Sequence, residues 1–409
     1  MSFISVKKNP LYLILIFILI FCIHSFAQQV NIHDTQKNPL YPYSLQIETL
    51  NSSGFLGTLE TSVSDVTSGN PANLNNYEKI SFGISYQFSK PFQNPFSYLN
   101  GTSVERKTDI IPQSIGIVYP LNDQWSFAAG FNQVYSNLME SEAFEVTTIE
   151  HPEGTGEIVT ATNETRLFKY SLTAGYKVRD LLLGTDKLTG SFQIDFFHLK
   201  QSERFWHTKI SYQNSVPTFS LGLNYVLNEN WQFGIYGTPS FKIEGSFTYE
   251  SDLKIAHDLN DPFNGGNNQI PETSYSYLYE YPTFIAGGYS YDSKSFWKTK
   301  MEFGYRYWHS IHNDQENELI ISGNMIFRIT DAFNLSTGIY VSDHQVDLEN
   351  LHFLGLRNNP TYTRNYLSVG VNYKIEGFIF DGVIVDNQLL EPTDPIRTTQ
   401  YKFGIGFEL

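Results

Sequence analysis

From about residue 79 to the last residue, apolar and polar positions alternate in segment after segment. In 81–88, Phe82, Ile84, Tyr86 and Phe88 share one side, and Ser81, Gly83, Ser85 and Gln87 share the other. In 170–177, Tyr170, Leu172, Ala174 and Tyr176 oppose Ser171, Thr173, Gly175 and Lys177. The pattern recurs in 219–227 and 367–376, and in 301–307 it sets Phe303, Tyr305 and Tyr307 against Glu302, Gly304 and Arg306. A period of two puts successive side chains on opposite faces of a strand, whereas a helix would scatter them around its circumference. Many segments run to about 9–12 residues, longer than the usual strand of a soluble sandwich and suited to a tilted strand crossing a membrane.

The alternation predicts strands at about 79–88, 110–119, 124–135, 164–178, 188–212, 216–227, 231–250, 279–291, 296–309, 316–329, 332–343, 364–376, 378–387 and 399–409. Taking 188–212 as one long, irregular element gives fourteen, an even number as single-chain bacterial barrels require. Short turns such as Leu227-Asn228-Glu229-Asn230 read as the periplasmic end. The long polar stretches near 136–163, 251–278 and 344–363 read as extracellular loops. The last segment runs as a strand to the terminus, where it can pair with the first and leave no open edge. The expected fold is therefore all-β, a transmembrane antiparallel barrel of about fourteen strands over 79–409.

Residues 28–78 do not alternate. They are rich in Asn, Ser, Thr, Gly and Pro, with short apolar pieces such as Gly54-Phe55-Leu56-Gly57. They are expected to form a separate segment ahead of the barrel. Before them, Lys7 and Lys8 precede the apolar run 11–23, and Ser25-Phe26-Ala27 offers small residues where a signal peptidase reads. Residues 1–27 are thus expected to be a signal peptide cleaved near Ala27. An uncleaved anchor is the alternative.

Composition changes the picture in two ways. Aromatics make up 16% and charged residues only 17%, against about 25% charged in soluble domains. Mean hydropathy is nevertheless −0.27, which excludes a bundle of transmembrane helices but suits strands of which only one face meets lipid. Cleavage after Ala27 removes the single cysteine, leaving no disulfide and no thiolate metal site. It also removes Lys7 and Lys8, leaving 25 Lys and Arg against 42 Asp and Glu, a net charge of −17. Nucleic acid is not an expected partner of so acidic a chain.

Within Ser64–Leu74 stands Asn70-Pro71-Ala72, directly before the first predicted strand. Pro112–Gly130 reads PQSIGIVYPLNDQWSFAAG, and Pro217–Gly237 repeats its order of Pro, Gly strand, Asn turn, Trp and second Gly strand. In these phrases, and in Tyr281–Ser310, the chain resembles the outer-membrane transporters of long-chain fatty acids and hydrocarbons, the FadL type. The resemblance spans about 45–409. It implies that 28–78 form a hatch plugging the barrel, with Asn70, Pro71 and Ala72 as candidate gating residues. The plainer reading of the tripeptide is an ordinary turn before strand one. The stretch before the motif is poorer in Gly and Ala than the family's hatch, and no ligand-contacting position can be matched.

The expected function is passage or binding of a hydrophobic small molecule at the outer membrane. Other expected partners are the surrounding lipid and, during biogenesis, the barrel assembly machinery; a monomer is expected. The 32 Phe and 27 Tyr can supply an outer girdle and an inner lining together. A non-transporting surface scaffold is the alternative. An enzyme is not expected, since no His-x-Ser-Asn of a barrel phospholipase is present. His309 and His312 fall on opposite faces of a strand and make a poor metal pair, and no cofactor is expected.

Overall fold

The computed structural model describes residues 36–37, 50–91, 96–98, 104–106, 111–145, 154–180, 186–205, 208–246, 248–251, 276–308, 317–342, 356–358, 365–387, 390 and 398–409. The expected signal peptide, 1–27, lies outside them, as do residues 28–35 and 38–49 of the segment that follows it.

Fourteen long strands follow one another: β1 (Ser81–Pro91), β2 (Pro112–Pro120), β3 (Trp125–Ser141), β4 (Thr162–Arg179), β5 (Lys187–Phe205), β6 (Thr208–Val226) and β7 (Trp231–Thr238). They continue as β8 (Phe284–Asp292), β9 (Trp297–Arg306), β10 (Glu318–Arg328), β11 (Phe333–Ser342), β12 (Tyr366–Ile375), β13 (Phe378–Asp386) and β14 (Thr398–Glu408). Each pairs antiparallel with the next. The ring closes where β1 pairs with β14, from Ser81 opposite Glu408 to Pro91 opposite Thr398. No wall strand is left as an edge, which is what a sheet surrounded by lipid requires.

The alternation places polar residues inside and apolar residues outside. On β5, Phe192, Ile194 and Phe196 are exposed on the outer face, while Ser191, Gln193 and Asp195 are buried. Trp125, Trp231 and Trp297 each open a strand at the short-turn end, where an aromatic ring fits the boundary between lipid and water. Trp125 and Phe127 stack at 6.4 Å, and Trp231 and Phe233 at 6.2 Å.

β3 runs past the expected residue 135 to Ser141, and two further elements depart from the sequence expectation. The element expected at 188–212 does not end near Gln213; β5 and β6 are partnered along their whole lengths from Lys187–Val226 to Phe205–Thr208. Pro217 therefore sits inside β6, opposite Phe196. Such a proline is tolerated because β6 pairs with β7 only from Leu221 onward, so its missing N–H interrupts no ladder on that side. The strand expected at 231–250 is also broken. The β7–β8 ladder ends at Thr238–Phe284, and a separate pair, Phe241–Ser246 with Ser276–Tyr281, takes over. Pro239 and Pro282 stand in the gap on the two chains, and neither can donate to a ladder.

Residues Leu50–Tyr77 do not join the wall. They lie within the barrel, almost entirely buried, and include two short 3-10 turns, Val63–Asp65 and Pro71–Asn76. The wall makes room with glycine. A Cβ on Gly116 would land on Val63 O, one on Gly130 on the Thr67 side chain, and one on Gly222 on Asn70 Oδ1. Gly83, Gly175 and Gly234 meet the segment in the same way.

Candidate functional site

The candidate motif residues lie together against β6. Asn70 begins the second 3-10 turn and Pro71 takes its first position, where a missing N–H costs nothing. Asn70 Oδ1 accepts from Ala72 N at 3.0 Å. Its Nδ2 donates both to Thr58 O at 2.8 Å and to Leu223 O of β6 at 2.9 Å. The tripeptide is thus a capped turn, as the plainer reading had it, and its side chain also fastens one part of the segment to another and to the wall.

The other fastenings were not named from the sequence. Glu302 of β9 is buried, and its two oxygens accept from Phe55 N (3.3 Å), Leu56 N (3.1 Å), Thr58 N (2.9 Å) and Thr58 Oγ1 (2.8 Å). Successive N–H groups converging on one carboxylate make an anion-binding concavity. The turn closes through Gly57, whose φ of 63° is left-handed and suits glycine. Asp65 accepts from Lys402 Nζ of β14 at 2.7 Å and from Ser114 Oγ at 2.5 Å. Asp381 of β13 accepts from Ser52 N at 3.2 Å. Glu60 pairs with Lys300 at 2.7 Å and also with Lys298. Burial, and next the negative charge of Asp65, push the Tyr77 phenol above its ordinary range, although Tyr77 OH donates to Thr61 O at 2.6 Å.

The lumen holds packed apolar clusters and a cavity. Towards the long-loop end, Leu50, Phe55 and Leu56 pack with Phe284, Tyr340 and Tyr366 in an apolar cluster. Phe55 and Tyr340 lie 5.5 Å apart, and the Arg306 guanidinium sits 4.9 Å over the Phe284 ring. A second cluster forms where the strand pair beyond Pro239 and Pro282 leans on the wall. Phe241 stacks on Phe197 at 4.3 Å and on Tyr281 at 5.0 Å, beside Leu167, Leu199 and Tyr212. Towards the short-turn end lies a cavity of about 450 Å³, bordered by Asn51–Ser53 and Glu60–Ser64 of the segment and by Lys298, Arg328, Asp381, Ile326 and Ile379 of the wall.

The closed fourteen-strand wall has counterparts among known structures. The toluene transporter TbuX of Ralstonia pickettii superimposes with a TM-score of 0.58 at 12% identity, over 88% of this chain and 98% of the other. A FadL homologue of Pseudomonas aeruginosa gives 0.55 at 10% identity, over 90% and 99%. The toluene transporter TodX of Pseudomonas putida gives 0.55 at 10%, over 89% and 99%.

This chain has the FadL-type barrel fold.

The likeness between these FadL-type barrels and this chain spans nearly the whole of each, so the resemblance read from the sequence stands at the level of the fold. No family model matches the chain, and no curated protein does. At 10–12% identity the strand architecture is shared while most lumenal side chains are not, so ligand preference has to be argued from this chain's own residues.

Proposed function

We propose that the protein carries hydrophobic small molecules across the outer membrane, with long-chain fatty acids and hydrocarbons as leading candidates, and that it is not an enzyme. In this reading residues 1–27 direct export and are removed, and 28–78 are the hatch, with Asn70, Pro71 and Ala72 at its joint. The observation that carries it is the apolar cluster built jointly by the lumenal segment and the wall, Leu50, Phe55 and Leu56 against Phe284, Tyr340 and Tyr366. Moving apolar surface into water costs about 25 cal/mol per Å², so an apolar patch inside the barrel is where a hydrophobic molecule would be drawn, in competition with the side chains packed there. The structural neighbours named as toluene transporters support the same reading.

The test is uptake of labelled long-chain fatty acids, alkanes and monoaromatic hydrocarbons by cells with and without the gene, together with extraction of lipid tails from the purified protein. Uptake that depends on the gene is expected for at least one class. No difference across the panel, with nothing apolar bound, overturns the transport reading.

A further inference from the structure

We propose that Glu302 is the latch of the hatch, and that the part it holds and releases is the turn Phe55–Thr58, while the rest of the hatch stays in place. The proposal rests on the transport reading and adds which piece moves and what holds it.

Thr58 is gripped from both directions. Its N–H and hydroxyl donate to Glu302 of β9, and its carbonyl accepts from Asn70, which in turn holds Leu223 O of β6. Around it the turn is polarised. The N–H groups of Phe55, Leu56 and Thr58 all go to Glu302. The Gly57 carbonyl goes to the motif turn, accepting from Asn70 N at 3.0 Å and Asn73 Nδ2 at 2.8 Å. Ser322 Oγ adds a donor at 3.1 Å, and the Lys300 charge two residues along the same face acts on the carboxylate from further off. The hydrogen bonds that Glu302 accepts come mostly from the hatch itself. Withdrawing the turn would leave a buried carboxylate stripped of most of its donors, which favours the closed position.

The ends of the two limbs are fastened elsewhere. Thr61–Tyr77 is pinned by the Asp65–Lys402 ion pair and by Gln193 Nε2 donating to Thr67 O at 3.0 Å, and Leu50–Glu60 by Ser52 N donating to Asp381, by Lys300 Nζ donating to Ser53 O at 2.8 Å and by Glu60 with Lys298 and Lys300. Leu50–Glu60 carries Phe55 and Leu56 into the apolar cluster, where an entering hydrophobic molecule competes with them for Tyr340 and Phe284. The same limb borders the cavity at the short-turn end through Asn51, Ser52, Ser53 and Glu60, on either side of that turn. Tyr236 OH, which donates to Leu56 O at 2.8 Å, is a further wall hydrogen bond of this turn and would part with it. Glu302 acts on the ligand only through the hatch, so it is a positioning residue.

Two variants test this in the full-length protein. Glu302→Ala, and more weakly Glu302→Gln, should raise ligand-free ion conductance in planar bilayers by about tenfold or more, as loss of a charged buried acceptor implies. Both variants should keep the mobility of the folded barrel on unheated gels. The pair Thr58→Cys with Gly288→Cys should do the reverse, because a Cβ on Gly288 lies 2.6 Å from Thr58 Oγ1 and the chain past Ala27 has no other cysteine; that Cβ also meets Met301 O at 2.6 Å, so the pair is scored against its own reduced form, which must keep the folded mobility. Oxidised, it should block ligand uptake; reduced, it should restore it. Normal conductance in folded Glu302→Ala, or full uptake with the disulfide formed, overturns the proposal. Conductance does not depend on any ligand being carried, so failure of uptake in the unaltered protein would count against the transport reading and leave the latch to be judged by the leak.

Discussion

Lys402 Nζ of β14 lies 2.7 Å from each carboxylate oxygen of Asp65, and neither side chain reaches solvent to more than 2%. The pair joins the last wall strand to the lumenal segment across 337 residues of chain. Two opposite charges buried together hold each other; one left alone inside a barrel has nothing to replace its partner.

Lys402→Met is therefore expected to loosen the hatch by about 3–5 kcal/mol, since it strands the Asp65 carboxylate. Replacing both, Asp65→Asn with Lys402→Met, should recover much of the loss. Protease cleavage within 60–77 in intact outer membranes measures this. Equal cleavage in single and double variants would show that the pair is not what holds the segment.

Asn70→Ala removes bonds to Thr58 O, Leu223 O and Ala72 N together. Hatch setting and ligand passage should fail while the barrel still assembles, because no wall ladder depends on Asn70. Heat-modifiable migration reports assembly and uptake reports passage. A variant that fails to assemble would assign Asn70 to folding.

Glycine at the wall predicts a contrast between neighbours in kind. Gly116→Ala places a Cβ on Val63 O and should unseat the first 3-10 turn, whereas Gly190→Ala meets only the Leu223 side chain at 3.6 Å and should be tolerated. Limited proteolysis of the two variants side by side decides it. Equal resistance would mean that the segment is not seated against β2.

Tyr77 gives a prediction in pH. Its buried phenol ionises only above the ordinary range, whereas an unfolded chain releases that proton near about pH 10. The unfolded state then binds fewer protons, so stability of the segment is complete below pH 10 and declines as the pH rises beyond it. Tyr77→Phe should flatten that alkaline loss when protease resistance is followed against pH. An unchanged profile would place the alkaline sensitivity elsewhere.

The wall was legible because its rule is local. Phe192, Ile194 and Phe196 announce an outer face within five residues, and any strand that crosses lipid must repeat the pattern. Asn214 and Ser215 misled because such residues normally mark a turn, whereas β5 and β6 pair straight through that level and turn between Phe205 and Thr208. Pro239 was passed over for the opposite reason, since the break needs Pro282 at the same level of a partner 43 residues away. The Asn-Pro-Ala turn was spelled in consecutive letters. Glu302 was assigned to the polar face by parity, but its four hydrogen bonds to the buried segment span 244–247 residues, and no local pattern says which inward-facing charge meets which part of that segment.

The bare patches of wall at Gly83, Gly116, Gly130, Gly175 and Gly222 are a mould, and the chain inside is its cast. Neither can drift alone. A methyl group added to the mould calls for a retreat in the cast, and a bulkier cast calls for another hollow. A chimera that takes its first 78 residues from one such barrel and its strands from another would inherit two surfaces shaped for different partners, however well the fourteen strands themselves align.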